Sequence, residues 1–382
     1  MIKPSAAADL WQQLLERARR SEWSTFQDPE YIEPPQKVER DRKAFIEAGW
    51  STSEVDFILG NRSEKLVKGV SSSGVAPHTE TALARIAEMV RSAASEILTV
   101  DFSKIEFVVE PKAGPLISLI NVMMTDESII AMGSFFTRYC GLVARAYTRT
   151  VLLAPWLFGA DADDEKVRKL LRENSSLLLY WWRIFVSFAL TGTHILTSFK
   201  PSRKEEVILF EQIAHSMEVF ALAHEVAHHV HRDVRKFDDG SDRYPEEYDA
   251  DRVAVKIARR VDEQHAWKWI RGSFTPNPYL SSGAGGVLLL GSLEIFRDVK
   301  DKVYKNTAYN THPHFLDRSE RIKLLWVLEP NMYKQSLEFC GAVESVLRCV
   351  KAELSPLMLA FPVEQFAKDF PVDWEVQQEE RS

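Results

Sequence analysis

Hydrophobic positions fall into distinct textures along the chain. Leu10, Leu14 and Leu15 recur at helical spacing within Ala6–Arg20, with Glu16, Arg17, Arg19 and Arg20 in the last turns, which predicts an amphipathic helix. A second, charged helix is expected over Gln36–Trp50. Leu83, Ile86, Met89 and Val90 predict a third, from Glu80 to about Thr99. Between them, Gly60–Pro77 carries Ser71-Ser72-Ser73-Gly74 and reads as a linker. Residues 105–136 then change character. Ile105–Val109, Leu116–Val122 and Ser128–Phe136 are short, rich in β-branched or aromatic residues and separated by turn residues, as strands of one small sheet would be. Everything after about Glu165 reads as helix with short breaks. The expected fold class is α+β, predominantly helical. A helical N-terminal region with its linker covers 1–75. One domain follows over 76–382, with strands at about 105–136, central helices at about 205–262 and C-terminal helices at 286–368.

Composition changes this picture little. The chain has 382 residues, 45% hydrophobic and 27% charged, the balance of a globular protein with a sizeable core. A net charge of −7 gives no electrostatic reason to expect nucleic acid or an anionic membrane as partner. Cys140, Cys340 and Cys349 are too few and too scattered for a disulfide framework or a Cys-rich zinc site, so reduced thiols in a cytoplasmic protein are expected. The N-terminal residues lack an apolar signal-peptide core. Leu177–Leu196 is the one contender for a membrane span. A spanning helix needs about 20 predominantly apolar residues. Arg183, Ser187, Thr191, Thr193 and His194 favour a buried helix of a water-soluble fold instead.

The informative segment is Ala223-His224-Glu225-Val226-Ala227-His228-His229-Val230-His231. On a helix, residues four apart share a face, so His224 and His228 can offer two imidazoles to one tetrahedral zinc ion. Glu225, about 100° round the helix, reaches a metal-bound water rather than the metal. Glu205–Val230 contains no Gly or Pro, and Ile213, Met217, Phe220 and Ala221 continue the histidine stripe upstream. After Asp238–Asp242 and Pro245, a second helix opens with Glu246-Glu247-Tyr248-Asp249-Ala250-Asp251. It supplies a candidate third ligand, Glu247, and a carboxylate one turn on, Asp251, that can orient a ligand imidazole. Glu246 is the alternative ligand but lies off the face that carries Asp251. His231 shares the face of His228, yet with His229 it suits helix-end chemistry, and His215 points away from the stripe.

H-E-x-x-H followed by Glu-x-x-Ala-Asp resembles the gluzincin metallopeptidases. Thr311-His312-Pro313-His314-Phe315-Leu316-Asp317-Arg318 resembles the His-Pro-x-x-x-x-Arg element of the branch containing CAAX prenyl proteases, HtpX-type proteases and their soluble relatives. The resemblance implies a zincin-like catalytic domain and one zinc per chain. His224, His228 and Glu247 would be the ligands and Glu225 the general base. Asp251 would hydrogen-bond a ligand histidine, and His312 and Arg318 would form an auxiliary pair beside the site. Asn121-Val122-Met123 followed by Ile129–Met132 resembles the hairpin before the zinc helix in that branch, with about seventy residues (140–210) intervening here.

The expected activity is zinc-dependent hydrolysis of peptide bonds in a protein or peptide substrate. His312 is the candidate second electrophile for the oxyanion, with His314 or Tyr248 in reserve. The sheet offers an edge on which an extended peptide could pair. A non-catalytic interaction protein tied together by zinc, and a dedicated single-target protease in a defence or regulatory pathway, are the alternatives. Gly283-Ala284-Gly285-Gly286 lacks a Lys at phosphate-loop spacing and reads as a mobile loop over the cleft. Trp181-Trp182 and Trp267-x-Trp269 read as core aromatics.

Overall fold

A computed structural model describes residues 5–20, 35–56, 77–110, 114–158, 163–194, 197, 203, 206–231, 244–265, 267–270, 273–304 and 312–360. The expected linker before Pro77, the break at Asp238–Asp242 and the acidic tail after Asp369 lie outside those residues.

Helices dominate. The first two are α1 (Ala6–Arg20) and α2 (Pro35–Glu47); α2 stops short of Trp50 because Gly49 takes the left-handed conformation (φ +92°) that ends helices. They are followed by α3 (Pro77–Ile97), α4 (Phe136–Leu153), α5 (Asp164–Glu173) and α6 (Ser175–Thr191). The remaining helices are α7 (Val207–Val230), α8 (Tyr244–His265), α9 (Pro278–Ser281), α10 (Ala284–Tyr304), α11 (Phe315–Leu324) and α12 (Pro330–Ala360). The expected small sheet is present, with strands β1 (Ile105–Glu110), β2 (Ile117–Asn121) and β3 (Ser128–Gly133) in the order β1-β3-β2. β3 pairs parallel with β1 and antiparallel with β2, which leaves β2 at an edge. The third strand stops at Gly133 rather than Phe136. The backbone of Gly114 and Leu116 crosses there too closely for a side chain, and Phe136 already begins α4.

The expectation of helix throughout the second half is corrected by a second sheet. β4 (Trp267–Ile270) and β5 (Ser273–Thr275) form an antiparallel pair, so the Trp267-x-Trp269 alternation is the period of a strand.

The core collects around α7, whose buried residues lie on every side: Ile213, Met217, Val219, Phe220, Leu222, Ala223, Val226 and Ala227. Such a helix has no solvent face to offer and is surrounded by others. Of the segment 140–210, α4 packs directly on α7, while α5 and α6 extend the core against α4, α10 and α12. On α6, Trp181, Ile184, Phe185 and Phe188 are buried and Trp181 Nε1 donates to Thr150 Oγ1 at 3.2 Å, so the tryptophan pair packs in the core as expected. The helix within Leu177–Leu196 ends at Gly192 in the left-handed conformation, and no helix among the described residues is long and apolar enough to cross a membrane. The central strand β3 is buried on both faces. Ile130 and Met132 face the helical core, while Ile129 and Ala131 join Val108, Val122, Ala7 and Trp11 under α1.

The expected mobile loop at Gly283–Gly286 is also corrected. Gly283 takes a left-handed conformation at the start of α10, and Gly285 and Gly286 lie against Ser216 and Phe220 of α7. These glycines let two helices meet closely instead of covering a cleft.

Candidate metal centre

The site is assembled from α7, α8, β2, the segment before α11 and the first turns of α11 itself. α7 runs without a helix breaker, which places His224 and His228 one turn apart. Pro245 suits the first turn of α8, and the acids that follow are favoured beside the partial positive charge of that helix end. His228 meets Glu247 and His224 meets both Glu247 and Asp251, so α8 runs antiparallel to α7. Ala223 and Ala227 on α7, and Ala250 and Ala254 on α8, are fully buried, and side chains this small allow a close approach.

Three donor atoms converge. His224 Nε2 and His228 Nε2 are 3.0 Å apart, and the Glu247 carboxylate oxygens lie 3.6 Å from the first and 3.5 Å from the second. Zinc–nitrogen bonds of about 2.0–2.1 Å in a tetrahedron put donors roughly 3.3–3.4 Å apart. The observed edges bracket that value. His224 Nδ1 lies 3.1 Å from Asp251 Oδ1, which orients the ring so that Nε2 is aimed at the other two donors. Protons or a metal cation can hold these donors together, and this group is the one among the described residues that could hold a metal ion. Glu246 is half-buried and lies outside the donor group, whereas Glu247 is buried and converges on the histidines.

Electrostatics reinforce the convergence. Burial opposes a charge on His224, yet the Asp251 and Glu247 carboxylates push its imidazole up to about 9. Burial likewise opposes ionisation of Glu247, but three imidazoles hold its carboxyl far below the usual range. Burial also raises Asp251, and the guanidinium of Arg318 overcomes it. Arg318 donates from Nε to Asp251 Oδ2 and from Nη2 to Asp251 Oδ1, both at 2.6 Å, and its Nη1 lies 3.4 Å from Glu247 Oε2. One buried fork therefore holds both acids of α8 in place.

Glu225 lies beside the donor set without joining it. Burial lifts its carboxyl to about 7, and His224 and the nearby Leu119 backbone of the edge strand pull it back. A cation between the three donors would lower it further. His312 Nδ1 lies 3.2 Å from Glu247 Oε2, and its side chain is 42% exposed, at the mouth of the site.

All seven residues singled out in the sequence thus come together. The reserve candidates do not: His314 caps α11 and contacts Glu294, and the Tyr248 ring lies under the Arg321 guanidinium. His231 is the C-terminal cap of α7. His229 Nδ1–H donates to Ser128 Oγ at 2.9 Å, and that hydroxyl donates to Asn121 Oδ1 at 3.2 Å. Sequence reasoning missed this tie between α7 and the edge strand, and it missed Leu119 and Glu294. A backbone amide has no side-chain signature. Glu294, alone among Leu290, Leu293, Ile295 and Phe296, was the available signal.

No family model, curated protein or solved structure matches the chain. The site rests on its own geometry.

Proposed function

We propose that the protein is a zinc-dependent endopeptidase with a zincin-like catalytic domain of gluzincin type, nearest in its motifs to the CAAX prenyl protease and HtpX-type branch. The observation that carries this is the donor set of His224, His228 and Glu247 with an acid, Glu225, beside it that takes no part in it. A purely structural zinc site has no use for that acid.

Zinc held by two imidazoles and a carboxylate keeps an open position, lowers the pKa of water there towards about 7 and polarises a carbonyl. The remaining roles belong to the chain. Glu225 takes a proton from the attacking water at its carboxylate and returns it to the leaving amine. His312, at the mouth, donates to the oxygen on which negative charge develops. Asp251 keeps the His224 ring in one tautomer, and Arg318 keeps Asp251 and Glu247 ionised and oriented. β2 is an edge strand whose Leu119 amide already faces Glu225. An extended peptide paired along it would pass the base and the donor set, recognised through its backbone.

The test is hydrolysis of denatured casein by the zinc-loaded chain. Glu225→Gln is expected to lower turnover by about 10²–10⁴-fold with the far-UV circular dichroism unchanged. Equal turnover by the two proteins, or none by either, contradicts the proposal.

A further inference from the structure

Two residues after His312, the chain is fastened from outside the site. His314 Nδ1 accepts from the Leu316 N–H at 3.3 Å, so its proton sits on Nε2, which lies 2.9 Å from Glu294 Oε1 on α10. The other oxygen, Glu294 Oε2, accepts from the Phe315 N–H at 3.0 Å. A carboxylate only 7% exposed thus commits one oxygen to each of two successive residues. Lys351 Nζ, 2.8 Å from Glu294 Oε1 and 2.8 Å from Asp298 Oδ2, balances the charge. Phe315 is buried where Gly291 has no side chain; a Cβ there would come within 2.9 Å of the ring. Pro313, with its fixed φ, removes slack between His312 and these anchors. The same α10 lies against α7 at Gly285 and Gly286, so one helix registers both the histidine ligands and the segment that carries His312.

We propose that Glu294 is a positioning residue: through His314 it holds His312 at the mouth of the site. The catalytic consequence rests on the peptidase function proposed above; the positioning does not. A mere helix-capping arrangement makes a different prediction, because it leaves His312 indifferent to Glu294.

The experiment uses full-length, zinc-loaded protein labelled with ¹⁵N-histidine, as wild type, Glu294→Gln and His314→Asn. The asparagine keeps a capping side chain for α11 but cannot reach Glu294. In both variants the His312 ring signals are expected to move while those of His224 and His228 stay and zinc content is unchanged. Both are expected to lower kcat/KM about 10- to 100-fold, chiefly through kcat. In a His312→Ala background, Glu294→Gln is expected to cause no further loss. Stationary His312 signals, full activity in His314→Asn, or additive losses in the double variant would overturn the proposal. Zinc-bound wild type that cleaves nothing removes the peptidase function, and the ring signals still decide the positioning. Should Glu294→Gln fail to fold, His314→Asn decides alone.

Discussion

Arg318 is the residue on which the interior of the site depends most. It is buried, makes two short hydrogen bonds to Asp251 and approaches Glu247, so it neutralises two acids that would otherwise repel each other. Removing one partner of a buried ion pair costs about 3–5 kcal/mol, because the other is left charged and unsolvated. Arg318→Met is therefore expected to lower the unfolding free energy measured by urea titration by that amount and to weaken zinc binding. Asp251→Asn is expected to weaken zinc binding by about 10–100-fold through loss of the His224 partner. Equal stability and affinity in both variants would show that the fork is incidental. Much at this scale was legible in the sequence, for a physical reason. A metal site needs particular side chains at intervals set by helix geometry, so His224 and His228 stood out by their spacing, and Glu247 and Asp251 were candidates on the next helix whose roles the family resemblance implied. The Leu119 amide and the Ser128–His229 contact arise from tertiary proximity, and no local spacing encodes them.

At the scale of elements, helical periodicity was the dependable signal, and glycine was the misleading one. Gly283-Ala284-Gly285-Gly286 carries the composition of a loop, yet Gly285 and Gly286 open a helix and touch α7. Their smallness serves packing, which composition does not distinguish from conformational freedom. Gly141, inside α4, has open space where a Cβ would go. Gly285→Ala is expected to cost about 1–3 kcal/mol, since Ser216 backbone and side chain occupy the place of the new methyl. Gly141→Ala is expected to gain about 0.5–1 kcal/mol by removing unfolded-state freedom. Urea midpoints of the two variants beside wild type check the contrast; similar shifts in both would mean that α10 does not press on α7. The β4–β5 pair shows the opposite failure. Trp267–Ile270 is too short for its period to stand out among long helices.

For the whole molecule, the site is an encounter between distant segments: an edge strand near residue 119, two helices that meet at residues 224–251 and a segment at 312–318. The helices between residues 136 and 191 hold the strand and the metal-site helices apart in sequence; α4 packs on α7 and the other two extend the same core, so they lengthen the chain without separating the site. The three motifs announced that such an assembly was needed, and the edge position of β2 supplies a place for an extended chain beside it. In the proposed centre, two histidines and Glu247 hold zinc while Glu225 does not. Zinc content by mass spectrometry tests it on wild type, Glu225→Gln and Glu247→Ala purified under zinc-replete conditions. About one zinc per chain is expected in wild type and in Glu225→Gln, and a clear loss in Glu247→Ala. Zinc-free wild type, or Glu247→Ala that retains zinc as tightly as wild type, would contradict it.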